Sequence, residues 1–137
     1  MKNHRKTKDL SFGLKKEKEV LELLKSRYGE KTIKQNSRYS TFDFETEDGL
    51  IQWELKSRRI KSTTYPTMML SYHKLKKAQD DLGKKKSIIL FNLNDGLFEW
   101  EYDPDGFKIS MGGTMKRGCD ERHLCGYIPV KNLKRFV

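Results

Sequence analysis

Apolar residues first recur along the chain at helical spacing. Leu14, Val20, Leu21, Leu24 and Tyr28 fall on one stripe, Ser11 stands where an N-cap belongs, and Gly29 stops the run. The pattern then changes to strands. Thr32-Ile33-Lys34-Gln35 reads as a short one, and Phe42-Asp43-Phe44-Glu45 as a second with aromatics on one face and acids on the other. Glu47-Asp48-Gly49 supplies a hairpin turn into Leu50 to Lys56, where Ile51, Trp53 and Leu55 share one face and Gln52, Glu54 and Lys56 share the other. Thr67 to Leu70 is a further strand. Ser71 then caps a helix with Tyr72, Leu75, Ala78 and Leu82 on one face and Gly83 as its stop. The unbroken apolar run Ser87-Ile88-Ile89-Leu90-Phe91 predicts a central strand covered on both faces. Leu97 to Tyr102 and Phe107 to Met111 read as a hairpin around Asp103-Pro104-Asp105-Gly106. A loop runs from Gly112 to about Gly126, and Tyr127 to Val130 is expected at a sheet edge because Pro129 has no N–H to donate. The sequence of elements is that of an α/β protein.

Composition narrows the setting. The chain has 137 residues, 29 Lys and Arg against 19 Asp and Glu, and a net charge of +10, an excess that attracts polyanions. Residues 1–9 are basic and polar and read as an arm, with a single domain over 10–137. No apolar run approaches the ~18 residues of a membrane span, and the N-terminus lacks an apolar signal core. These features predict a cytoplasmic, nucleoid-associated or nuclear protein that is not secreted and binds no membrane. Two cysteines, Cys119 and Cys125, are too few for a disulfide framework.

Four residues carry candidate chemistry. Glu54-Leu55-Lys56 is the one place where an acid is followed two residues later by lysine, and same-face neighbours on a strand lie ~7 Å apart, close enough to share one small ligand. Asp43 lies on the strand expected to pair with it; antiparallel neighbours ~4.8 Å apart let Asp43 and Glu54 ligate one cation if the register sets them opposite. Glu17 falls inside the apolar stripe of the first helix, a costly place for a carboxylate unless it is paired, hydrogen-bonded or metal-bound. Three carboxylates suit Mg²⁺, for which Mn²⁺ can substitute. The bland alternatives are a dipole-stabilised Glu17 near a helix N-terminus and a solvated Glu54–Lys56 pair.

With these residues in place, the chain resembles the PD-(D/E)XK nuclease superfamily of restriction endonuclease-like fold. The resemblance covers roughly residues 11–92 and rests on Asp43 with Glu54-Leu55-Lys56, on Glu17 four residues after Gly13 as in small junction-resolving members, and on Met68-Met69-Leu70 feeding a lysine-rich helix. Phe42 stands where the name-giving proline would be. The resemblance implies an αβββαβ core, a mixed central sheet flanked by helices, with extra C-terminal β-hairpins. It also implies Asp43 and Glu54 as metal ligands, Lys56 as the catalytic lysine and Glu17 as the auxiliary acid. The implied activity is metal-dependent DNA endonucleolysis by a homodimer, of the Holliday-junction-resolving, homing or phage type.

Further residues would contact such a substrate. Arg38 before Asp43, Arg58, Arg59 and Lys61 after Lys56, and Lys74, Lys76 and Lys77 on the second helix are candidates for phosphate contacts to duplex or branched DNA, or else solvated surface lysines and arginines. Cys119, His123 and Cys125 fit zinc poorly, being three ligands at uncommon spacing, and a reduced cysteine pair accounts for them better. A catalytically silent nucleic-acid-binding protein of the same fold and a ribonuclease are the alternative functions.

Overall fold

In the computed structural model, which describes residues 17–29, 33–37, 39–111 and 124–137, nine strands and two helices form a mixed α/β structure. The first helix, α1, covers 17–28 of the described residues and ends at Gly29, whose φ of 103° is the left-handed conformation that closes a helix without a Cβ penalty. Strands β1 (Ile33–Gln35), β2 (Phe44–Thr46) and β3 (Ile51–Ser57) follow, then β4 (Thr67–Ser71), α2 (Tyr72–Asp80), β5 (Lys86–Leu93), β6 (Gly96–Glu101), β7 (Lys108–Met111), β8 (Leu124–Pro129) and β9 (Lys134–Arg135). The main sheet has six strands in the order β1-β2-β3-β5-β6-β9. Its β3 and β5 run parallel, so the chain must cross over between them, and the crossover carries β4 and α2. Strands β4, β8 and β7 form a second sheet of three. Among the described residues no helix is long and apolar enough to cross a membrane.

Strand alternation divides the core in two. Trp53, Ile88 and Leu90 point to the face covered by Val20 and Leu24 of α1. Ile89, Phe91 and Leu93 point to the other, covered by Leu75 and Ala78 of α2 and by Met68, Leu70 and Ile128 of the second sheet. Strand β5 is thus buried on both faces, as its apolar run requires. The opposite face of β3 follows the same alternation, so Gln52, Glu54 and Lys56 share the side on which α2 lies.

Several expectations are corrected. Phe42 and Phe44 do not share a face: Phe42 joins the α2 cluster and Phe44 the α1 cluster, because the chain bends through 41–43 and β2 starts only at Phe44. Strands β6 and β7 are not a hairpin; β6 pairs with β5 and β9, and β7 with β8 in the second sheet. Phe107 packs edge-on against Trp100 as the chain crosses between the sheets. Strand β8 is the middle strand of its sheet, and Pro129 is tolerated because it is the last residue of the strand. Ser71 occupies the N-cap position of α2 without a side-chain cap, since its backbone belongs to the β4 ladder opposite Cys125. Tyr72 and Leu82, expected on the apolar face of that helix, are exposed.

Candidate active site

Glu54 is the focal group. It leaves β3 toward α2 and is 7% exposed, and its Oε2 lies 3.1 Å from the Lys74 ammonium on α2. Lys74 also donates to the Thr41 carbonyl, which fixes the bend before β2 to the helix. The register of β2 on β3 sets Phe44 opposite Trp53 and Glu45 opposite Gln52, so one step further Asp43 stands opposite Glu54. Its backbone N–H donates to the Trp53 carbonyl at 2.9 Å, and its Oδ2 accepts from the Leu55 N–H at 2.9 Å. On the other side the Asn36 N–H donates to the Asp43 carbonyl at 2.7 Å and Asn36 Nδ2 to the Phe42 carbonyl at 3.0 Å. Asp43 is therefore fixed by β3 and by the residue after β1, with its carboxylate taking the place of a backbone acceptor for Leu55.

The electrostatics follow from this crowding. Burial and the neighbouring Asp43 carboxylate push the Glu54 carboxyl up to about 8, against the pull of the Lys74 ammonium. Glu17, half-buried in the first described turn of α1, is likewise raised by burial and then by Asp43. Asp43 is thus the charge that both Glu17 and Glu54 feel. Lys56 is held below the usual lysine range by burial, then by Arg58 and Lys74, with Glu54 opposing.

Glu54 Oε1 is buried without a hydrogen-bond partner, and Asp43, opposite it just before β2, is a carboxylate that opposes its ionisation. Two acceptor groups in that position need a proton or a cation between them. Among the described residues no group of three or more His, Cys, Asp and Glu side chains is already gathered around a metal-sized point. The donor chemistry nonetheless fits a hard cation: two adjacent carboxylates, one orphaned oxygen and a third acid, Glu17, that feels the Asp43 charge.

Comparison of the chain with protein-family models, with curated proteins and with solved structures finds no match. What can be said of the site therefore rests on its own residues.

The remaining candidates separate. Arg58 and Arg59 line a cleft beyond the end of β3. Lys61 is exposed, and Lys76 is exposed 3.7 Å from Asp80. Lys77 lies 2.9 Å from Asp81, which also accepts from Gln52 Nε2 at 2.8 Å. Lys74, expected at a substrate phosphate, stands on Glu54. Its helical stripe was the available signal: Lys74, Lys77 and Asp81 recur three and four residues apart beside the buried Leu75 and Ala78, and so must meet the polar face of β3. Cys125 is fully buried and disulfide-bonded, which corrects the expectation of a reduced thiol. Arg38, Cys119 and His123 lie outside the described residues.

Proposed function

We propose that the chain is a metal-dependent DNA endonuclease with a restriction endonuclease-like core, acting as a homodimer on duplex or branched DNA inside the cell. The observation that carries this reading is the orphaned, buried Oε1 of Glu54 beside Asp43, a pair of carboxylates held together at a cost that a bound cation relieves. Asp43 and Glu54 would hold Mg²⁺ or Mn²⁺, and Glu17 would add a third negative charge. When bound, the metal lowers the pKa of a water and neutralises charge gathering on the phosphodiester.

Lys56 shares the Glu54 face of β3, and its lowered basicity suits an amine that holds the attacking water and takes its proton. The water oxygen bonds to phosphorus as the bond to the leaving alkoxide breaks, and that alkoxide takes a proton from solvent while Lys56 returns its own. Lys74, now paired with Glu54, would be free to meet a phosphate oxygen once a cation took its place. Arg58, Arg59, Lys61 and Lys76 supply sequence-independent phosphate contacts. A silent binding protein gains nothing from acids turned toward a phosphate, which favours the enzymatic reading.

Purified protein is incubated with supercoiled plasmid, synthetic four-way junctions and matched RNA, in Mg²⁺ or in EDTA. Cleavage of DNA in Mg²⁺ alone, lost in Lys56→Ala and Asp43→Asn, is the expected result. Equal inertness of wild type and Lys56→Ala on every DNA sinks the nuclease reading, and cleavage confined to RNA makes the chain a ribonuclease.

A further inference from the structure

Beyond the acidic site lies a second concavity on the same face of the main sheet. Strand β3 ends at Ser57, the Arg58 N–H donates to the Asn92 carbonyl at 3.0 Å, and the chain turns through Ile60 and Tyr65 into β4. The turn and the start of β4 enclose an open cleft of 290 Å³ lined by Arg58, Arg59, Tyr65, Met68 and Phe91 among others. Phe91 is the residue of β5 registered with Lys56, so the cleft is the immediate neighbour of the catalytic lysine.

Its chemistry is mixed. Two arginines bring positive charge, the Tyr65 ring is 37% exposed, and the buried Phe91 and Met68 close the cleft from beneath. A larger crevice of 560 Å³ elsewhere is lined by Glu99, Glu101 and Asp103, which repel a polyanion. A third cleft, lined by Lys84, Lys85, Lys86 and Tyr102, is also basic, but the Arg58 cleft is the one that adjoins Lys56, and it carries an exposed ring, Tyr65, to receive a base.

We propose that this cleft is a subsite for one unstacked nucleobase adjoining the scissile phosphate, so that the preferred substrate carries unpaired bases, as a flap, a bulge or a branch point does. The inference rests on the nuclease reading for the identity of the neighbouring site. A cleft this small admits one ring system and its sugar, whereas an intact duplex keeps its bases stacked inside and presents only backbone and groove edges. Aromatic stacking is indifferent to base identity, so the subsite selects for lack of pairing and not for sequence. Arg58 and Arg59 at the cleft would meet the phosphates flanking such a base.

Full-length protein is titrated, in EDTA so that no strand is cut, with a fluorescent duplex carrying an unpaired flap and with the same duplex carrying an abasic flap of equal length. Both present the same phosphates, so any difference belongs to the bases. Tighter binding of the base-bearing flap by about tenfold is expected, the order of one base–aromatic stack. Tyr65→Ala removes that difference, Tyr65→Phe keeps it, and Arg59→Ala weakens binding of both flaps alike. Circular dichroism confirms that each variant is folded, and the wild-type comparison decides the matter even if Tyr65→Ala does not fold. Equal affinity of wild type for the two flaps overturns the inference while leaving DNA cleavage in Mg²⁺ intact. Preference for the base-bearing flap by a protein that never cleaves upholds the subsite and sinks the nuclease reading instead.

Discussion

Replacing Glu54 by glutamine removes the negative charge from the most crowded point of the site while keeping its shape. The carboxyl moves from its ordinary 4.5 to about 8 on folding, because burial and Asp43 disfavour its charged form. Between those two values the folded state holds a proton that the unfolded state has released, so metal-free stability falls as pH rises. The slope is about 1.4 kcal/mol per pH unit, which amounts to roughly 2 kcal/mol lost between pH 6 and pH 7.5 and about 5 kcal/mol over the whole shift. At this chain length the smaller figure moves the melting temperature by on the order of 5–10 °C. Denaturant titrations of wild type in EDTA at intervals across that window should show the decline. Glu54→Gln should flatten it and be the more stable protein at pH 7.5. Added Mn²⁺ competes with the proton and should stabilise wild type increasingly toward high pH. A wild-type stability that is constant or rising over the window, or a Glu54→Gln slope equal to that of wild type, refutes the reasoning.

Other substitutions test the surroundings. Lys74→Met removes the ammonium that occupies Glu54 Oε2, so Mn²⁺ should bind more tightly, by about tenfold in calorimetry, while cleavage falls because the phosphate loses a partner. Gly126→Ala drives a methyl group into Leu75 of α2, next in sequence to Lys74; the protein should lose about 1–3 kcal/mol in chemical denaturation and part of its activity. Removing Arg58 or Arg59 should weaken DNA binding uniformly across sequences and lower the slope of log affinity against log salt by about one per residue, measured by anisotropy.

The strand bearing Glu54 and Lys56 was legible because one face of it is buried against α1, and period-two alternation then fixes which side chains turn the other way. Strand β5 was legible for the complementary reason, being apolar at successive positions and covered on both sides. The Asp43–Glu54 juxtaposition needed only the short hairpin at Glu47-Asp48-Gly49 to set its register. What escaped was long-range or exceptional. Nothing local tells β7 to leave β6 for β8 across residues distant in sequence, and the rule that proline marks an edge strand misleads when the proline ends the strand. Phe42 was misplaced because the Asp43 carboxylate, not a backbone carbonyl, receives the Leu55 N–H, a side-chain substitution that alternation does not anticipate. Charge alone assigns Lys74 to a phosphate, whereas its spacing from Leu75 and Ala78 sets it over β3.

The central claim is that Asp43 and Glu54 share one divalent cation. A crystal structure of the protein soaked in Mn²⁺ near pH 8, with anomalous scattering used to locate the metal, addresses it directly. The account predicts one strong peak between Asp43 and Glu54, with Lys74 withdrawn from Glu54 and the peak absent in Asp43→Asn. Saturating Mn²⁺ that leaves Lys74 seated on Glu54, with no peak between the two carboxylates, contradicts it.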